Sequence, residues 1–193
     1  MDFSIITIEK VESTQNYLIE LSRKTELQEG IVINALSQFK GVGQFENKWE
    51  SEDGKNLTFS LLLKPCFLNP CNQFLLTQVL SLAISDFLLK YIDKNVYIKW
   101  PNDILVDNKK ICGILLEGKS NKKSSMIVVG IGINVNQITF SNEIDSLTTS
   151  LKKELNHHFD IDKLVLELRN QLINDIEEFL NNNNSFIDYI RDN

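Results

Sequence analysis

The chain has 193 residues, 42% hydrophobic and 24% charged, with a formal net charge of −6. That length suits one domain with a sizeable core, or one domain with a small appendage, and the composition is that of an ordinary globular chain. The negative balance and the absence of any long Lys/Arg block disfavour a nucleic-acid partner gripped through its phosphates, while leaving room for a local basic site for one small phosphate ligand.

The N-terminus, MDFSIITIEK, has no basic stretch followed by an apolar run, so it does not read as a secretory signal. No 18 apolar residues follow one another, so no transmembrane helix is expected. Cys66, Cys71 and Cys112 make an odd set without zinc-ligand spacing and read as free thiols in a reducing cytoplasm.

Residues 3–8 (FSIITI) read as a strand, Ser13-Thr14 as a helix cap, and 15–24 as the helix. Residues 31–36 (IVINAL) are apolar and β-branched, a second strand. From Gln38 to Lys55 the chain turns polar, with three glycines and an isolated Trp49. A loop that long inside one domain points to function. A strand follows over 56–63, ended by Pro65, then a helix over about 72–90. Its apolar rows, Leu75-Val79-Ala83-Phe87 and Leu76-Leu80-Ile84-Leu88, predict burial against a sheet. Val96–Trp100, Asp103–Val106 and Lys110–Glu117 read as strands, the last two joined by an Asp107-Asn108-Lys109 turn. Residues 126–135 form a further strand, apolar enough to be central. The spacing of Ile161, Val165, Leu168, Leu172, Ile176 and Phe179 predicts an amphipathic helix broken by Asn181–Asn184. Consecutive strands without intervening helices favour an α+β fold, with a mixed, largely antiparallel sheet covered by helices.

Four segments carry chemical interest. In Lys99-Trp100-Pro101-Asn102-Asp103, proline fixes its own φ and restricts Trp100 to extended backbone, so Lys99 is held at a stiff strand end. Such a cation suits a phosphate or carboxylate that gains charge during reaction; by itself it also reads as a surface lysine beside a turn. In Gly41-Val42-Gly43-Gln44, paired glycines let backbone N–H groups approach an anion. Glu46 stands where a dinucleotide fingerprint needs a third glycine, and alone the segment reads first as a flexible turn. Gly130 and Gly132 inside an apolar strand mark either a cavity wall or tight packing. Ser13-Thr14 is a cap or a pair of ligand-facing hydroxyls, and His157 and His158 read as solvent-facing.

Taken in order, these pieces resemble the catalytic domain of bacterial biotin protein ligases. The resemblance runs from Glu12-Ser13-Thr14 through Gln38, the Gly41–Trp49 loop, residues 51–60, Lys99–Leu105 and Lys110-Ile111-Cys112-Gly113-Ile114-Leu115-Leu116-Glu117 to Gly130–Asn136, about the first 136 residues. It implies a sheet of the class II aminoacyl-tRNA synthetase and biotin ligase type. It also implies biotin activated with ATP and Mg²⁺ to biotinyl-adenylate and passed to a lysine of a biotin carboxyl carrier domain of acetyl-CoA carboxylase or a related carboxylase. By the same resemblance Ser13, Thr14, Gln15 and Gln38 line the biotin end, Gly41, Val42, Gly43 and Gln44 close over biotin and the adenylate, and Gly113 and Ile114 run along the biotin pocket. Lys99 contacts the biotin carboxylate and the α-phosphate, with Trp49 covering the adenine side and Asn102 and Asn134 near the nucleotide.

The chain departs from that family in its loop. Val42 and Gln44 stand where arginines are usual, and Glu46 adds a negative charge near the expected phosphates. One unit charge at 5–8 Å is worth roughly 2–3 kcal/mol at an effective dielectric of about 20, which predicts weaker ATP use or a leakier intermediate. Two further departures are expected of one catalytic domain over 1–193: no DNA-binding segment ahead of it, and the SH3-like barrel usual in the family absent or shortened. A homodimer is compatible, since edge strands pair. The competing readings are a lipoate ligase or octanoyltransferase, for which Trp-Pro-Asn-Asp is unexpected, and a non-catalytic biotin or adenylate binder.

Overall fold

A computed structural model describes residues 4–64, 73–120 and 125–181. Phe3, Pro65, Cys66, Cys71 and, of the Asn181–Asn184 run expected to break the last helix, Asn182–Asn184 lie outside these residues. A seven-stranded sheet forms the centre, built from β1 (Ser4–Val11), β2 (Ile31–Gln38), β5 (Leu57–Leu63), β6 (Val96–Lys99), β7 (Asp103–Val106), β8 (Lys109–Ser120) and β9 (Ser125–Ile133). Its order is β1-β2-β5-β9-β8-β7-β6. Only β1 and β2 run parallel; every other neighbouring pair is antiparallel. The expected mixed, largely antiparallel sheet is therefore present, with its helices.

Alternation along the central strands separates two faces. Leu57, Phe59, Leu61 and Leu63 of β5 and Ile127, Val129, Ile131 and Ile133 of β9 join the main core. There they meet α2 (Gln73–Leu89) and α4 (Ile161–Asn181), which also pack on each other. Both apolar rows of α2 point inward, with Val79, Leu80, Ile84 and Leu88 completely buried. On the opposite face, α1 (Thr14–Lys24) lays Leu18 on Ile33, Leu62 and Val128. The same face next carries Thr58 and Ser60 of β5 and Gly130 and Gly132 of β9, too polar or too small for a core. The start of α1 and a loop close over them instead.

Asp107 and Asn108, both at positive φ (46° and 69°), make the β7–β8 turn, so Lys109 already belongs to β8. Two central residues with positive φ match the twist of the flanking strands. The last strand stops at Ile133 rather than Val135, because the Val135 N–H donates to the Asn56 side chain and the Asn136 N–H to the Lys55 carbonyl. The stretch expected as an open loop contains a small ladder, β3 (Gly41–Val42) paired antiparallel with β4 (Lys48–Trp49). A short α3 (Leu151–Leu155) is capped by Ser150. Among the described residues no helix is long and apolar enough to cross a membrane.

Candidate active site

The polar end of the site is assembled where α1 begins. Ser13 is the N-cap: its extended backbone (φ −154°) aims its hydroxyl at the Asn16 N–H. The cap reading of Ser13 holds, and the turn that caps the helix also delivers Thr14 and Gln15 to the sheet, where both line a cavity. The Thr14 N–H and hydroxyl both donate to Gln38 Oε1, at 2.8 and 3.1 Å. Ser60 Oγ lies 2.9 Å from Thr14 Oγ1 and 3.2 Å from Gln15 Oε1. Gln15 Nε2 donates to Glu117 Oε2 at 2.9 Å and to the Val128 carbonyl at 3.1 Å. Ser13, Thr14, Gln15, Gln38 and Ser60 are all buried, so these bonds offset the cost of leaving water. With its oxygen taken twice, Gln38 keeps Nε2 as a donor. With both amide hydrogens spent, Gln15 keeps Oε1 as an acceptor. A ligand here meets donors and acceptors side by side, which suits a cyclic urea or an amide.

Glycines form the floor. A side chain at Gly130 would begin 2.7 Å from Gln15 Oε1, and one at Gly132 would begin 2.4–2.8 Å from the Trp49 indole. Both readings of these two glycines therefore apply: they line the first cavity and each packs tightly against a neighbouring side chain. The indole lies across Gly132 and Gly113, and its Nε1 is buried without a partner. Lys110 Nζ sits over the ring, 5.6 Å from its centroid, and pairs with Asp103 at 2.6 Å. Asn102 is locked to β8, donating through Nδ2 to the Ile114 carbonyl at 2.8 Å and accepting from the Ile114 N–H at 2.9 Å. Val42, Gly43 and Gln44 roof the cavity, and only about 50 Å³ remains open beneath them. The roof is held by the Gly43 N–H to the Asn47 carbonyl at 2.7 Å, and it carries Phe45 at φ 55°, 85% exposed.

Trp49 and Lys110 also line a second cavity of about 620 Å³, with Lys48, Asn134, Phe140 and Glu143. Asn134 donates through Nδ2 to the Thr149 carbonyl at 3.0 Å, while its Oδ1 is buried without a partner. One small polar cavity and one larger cavity therefore share a cation and an aromatic ring.

Of the residues expected at the site, Ser13, Thr14, Gln15, Gln38, Val42, Gly43, Gln44, Trp49, Asn102, Gly113 and Ile114 line the first cavity. Gly41 stands behind Gln38, where an added side chain would begin 2.7 Å from its Nε2, and Asn134 lines the second cavity. Lys99 does not join them. It is exposed at the end of β6, the outermost strand, opposite Asp103. Lys110 of β8 lines both cavities, and the sheet order sets β6, which carries Lys99, two strands away from β8. Besides Lys110, the sequence reading assigned no site role to Ser60 or Glu117. Thr58 and Ser60 were signalled by their alternation inside an otherwise apolar strand. His157 and His158 are exposed, as expected. Burial pushes the Cys112 thiol well above its ordinary pKa, an inert core residue.

Residues 7–134 match the model of the biotin/lipoate A/B protein ligase family. The bifunctional ligase/repressor BirA of Bacillus subtilis is 33% identical over 154 residues, spanning 78% of this chain and 46% of that protein. BirA of Escherichia coli is 33% identical over 134 residues, spanning 68% of this chain and 40% of that protein. The chain thus spans about half the length of the curated relatives it matches. The biotin protein ligase of Aquifex aeolicus, solved in complex with biotin and ATP, superposes with a TM-score of 0.79 at 32% identity, covering 91% of this chain and 71% of that one. Fold, motif order and these likenesses agree: the chain belongs to the biotin/lipoate A/B protein ligase family.

Proposed function

We propose that this chain activates biotin with ATP as biotinyl-5′-adenylate and transfers it to a lysine of a biotin carboxyl carrier domain, within the cytoplasm. The observation that carries this reading is the pair of cavities that share Lys110 and Trp49 in their walls. One offers Gln15 Oε1 and Gln38 Nε2 to a cyclic urea, and the other lies on the far side of Lys110 and Trp49, with room for a nucleotide. A fatty-acyl or lipoyl chain has no urea to engage those amides, which favours biotin over the lipoate reading.

In the first step a carboxylate oxygen attacks the α-phosphorus, and the bond from that phosphorus to pyrophosphate breaks. Two anions must approach each other, so the protein's task is alignment and charge neutralisation. Lys110 is the described cation that borders both cavities, and its tie to Asp103 fixes its direction. We assign it the role the sequence suggested for Lys99. In the second step the acceptor amine attacks the biotinyl carbonyl and AMP departs, while the Gly41–Gln44 roof keeps water from the mixed anhydride.

A magnesium ion carried in by the nucleotide fits this donor set. The unpartnered Asn134 Oδ1 borders the second cavity, and among the described residues no cluster of three His, Cys, Asp or Glu builds a dedicated metal cage. Asn134 would hold the ion together with phosphate oxygens and water. When bound, it neutralises the departing pyrophosphate.

The test is biotin-dependent ATP–pyrophosphate exchange, followed by labelling of a purified carrier domain. Exchange that requires biotin, with lysine labelling, is the expected result. Biotin binding without exchange would make the chain a binder rather than a ligase, and exchange supported by lipoate or octanoate instead would reassign the substrate.

A further inference from the structure

Glu117 lies outside the cavity, exposed on β8, yet it touches the one side chain whose orientation sets what the cavity offers. An amide can present either end to a ligand, and the two ends have opposite hydrogen-bonding character. The nitrogen end of Gln15 faces two acceptors, Glu117 Oε2 at 2.9 Å and the Val128 carbonyl at 3.1 Å. Glu117 and Val128 are cross-strand partners, so a single register position supplies both. The oxygen end faces the Ser60 hydroxyl at 3.2 Å and the open side of Gly130. Turned over, the amide would set its oxygen against a carboxylate and a carbonyl. Ser60 cannot decide the matter, because a hydroxyl rotates to donate or accept. The charged acceptor carries the larger share, since charge-assisted hydrogen bonds are about twice as strong as neutral ones.

We propose that Glu117 is a positioning residue that holds the Gln15 amide with its carbonyl oxygen toward the cavity, where it accepts an N–H of the substrate's urea ring. This rests on the reading of biotin as substrate. Gln15 is the contact, and Glu117 acts through it alone.

The test is calorimetry and steady-state kinetics on the full chain. Glu117→Ala raises the biotin dissociation constant about fivefold. KM for biotin rises with it, while kcat at saturating biotin, KM for ATP and the thermal midpoint stay at wild-type values. Desthiobiotin, which keeps the urea and lacks the sulfur ring, weakens by the same factor. Glu117→Gln, still able to accept but equally able to donate, falls between the two. In a Gln15→Ala background, Glu117→Ala has no further effect on biotin. An effect that persists without Gln15, or one that weakens ATP equally, overturns the positioning role and leaves the functional reading intact. A wild-type chain that binds neither biotin nor desthiobiotin overturns the functional reading itself, and the proposal with it.

Discussion

The two sides of the small cavity differ in how far their groups are already satisfied. On the α1 side, Thr14, Gln15, Gln38 and Ser60 are buried and bonded to one another, to Glu117 and to the Val128 carbonyl. On the loop side, Trp49 Nε1 has no partner, Phe45 stands in the left-handed region with its ring in solvent, and the ladder is two residues long. A bonded network is stiff and selects by geometry, whereas a loop with unmet bonds can exchange its contacts for those of a ligand. The molecule thus sets a bonded wall opposite a loosely bonded loop across an open volume of about 50 Å³.

The largest effect should come from the cation between the two sides. Lys110→Ala should lower kcat for pyrophosphate exchange by 10²–10³-fold, about 2.7–4 kcal/mol, with biotin affinity kept. Lys99→Ala should change either value by less than about threefold. Equal losses would show that the edge strand reaches the chemistry after all.

Next comes the same added methyl on neighbouring glycines. Gly130→Ala meets a pinned amide oxygen and should weaken biotin about tenfold to a hundredfold in calorimetry, the 1–3 kcal/mol typical of overpacking. Gly132→Ala meets an indole on a loosely held loop, so a rise of only about threefold to tenfold in KM for ATP is expected. Reversed magnitudes would exchange the stiff and the adaptable side.

A third probe lies beneath the second cavity. Glu154 accepts from Lys94 at 2.6 Å and from the hydroxyl of Thr149, the residue whose carbonyl holds Asn134. Burial pushes its carboxyl up, but the bonds from Lys94 and Thr149 outweigh burial and hold it below its ordinary 4.5. A depressed folded value gives stability that is present above the unfolded pKa and lost as pH falls below about 4.5. Glu154→Gln should cost about 1–2 kcal/mol at pH 7 by urea unfolding, with the gap from wild type closing toward pH 3. A gap independent of pH would show that the charge is not what holds this wall. The smallest effect belongs to Phe45→Gly. Relief of the left-handed backbone nearly offsets the added freedom of the unfolded chain, so stability should move by less than about 1 kcal/mol. A larger loss would mean that the exposed ring is already in use.

Strands and helices were legible because their signals are local. The rows of α2, the seven-residue rhythm of α4 and the Asp107-Asn108 turn each sit within one segment. Most of the residues that line the first cavity were legible too, through the order of their short strings. The lysine was not. Lys99 stands beside proline in a conspicuous string, whereas Lys110 lies in an ordinary-looking Lys-Lys-Ile-Cys. Which of the two faces the cavity depends on strand order, with β8 beside β9 and β6 at the rim, and no local pattern encodes that order. Gln15 and Glu117, 102 residues apart, meet for the same reason.

Because the cavity gathers residues from Ser13 to Gly132 across β5, β9 and β8, no single element or short segment of the chain contains it. Ligand occupancy and cooperative unfolding are therefore thermodynamically linked. Saturating biotin at one hundred times its dissociation constant would raise the free energy of global unfolding by about 2.7 kcal/mol. Resistance to proteolysis in the strands farthest from the ligand would rise along with that of the residues touching it.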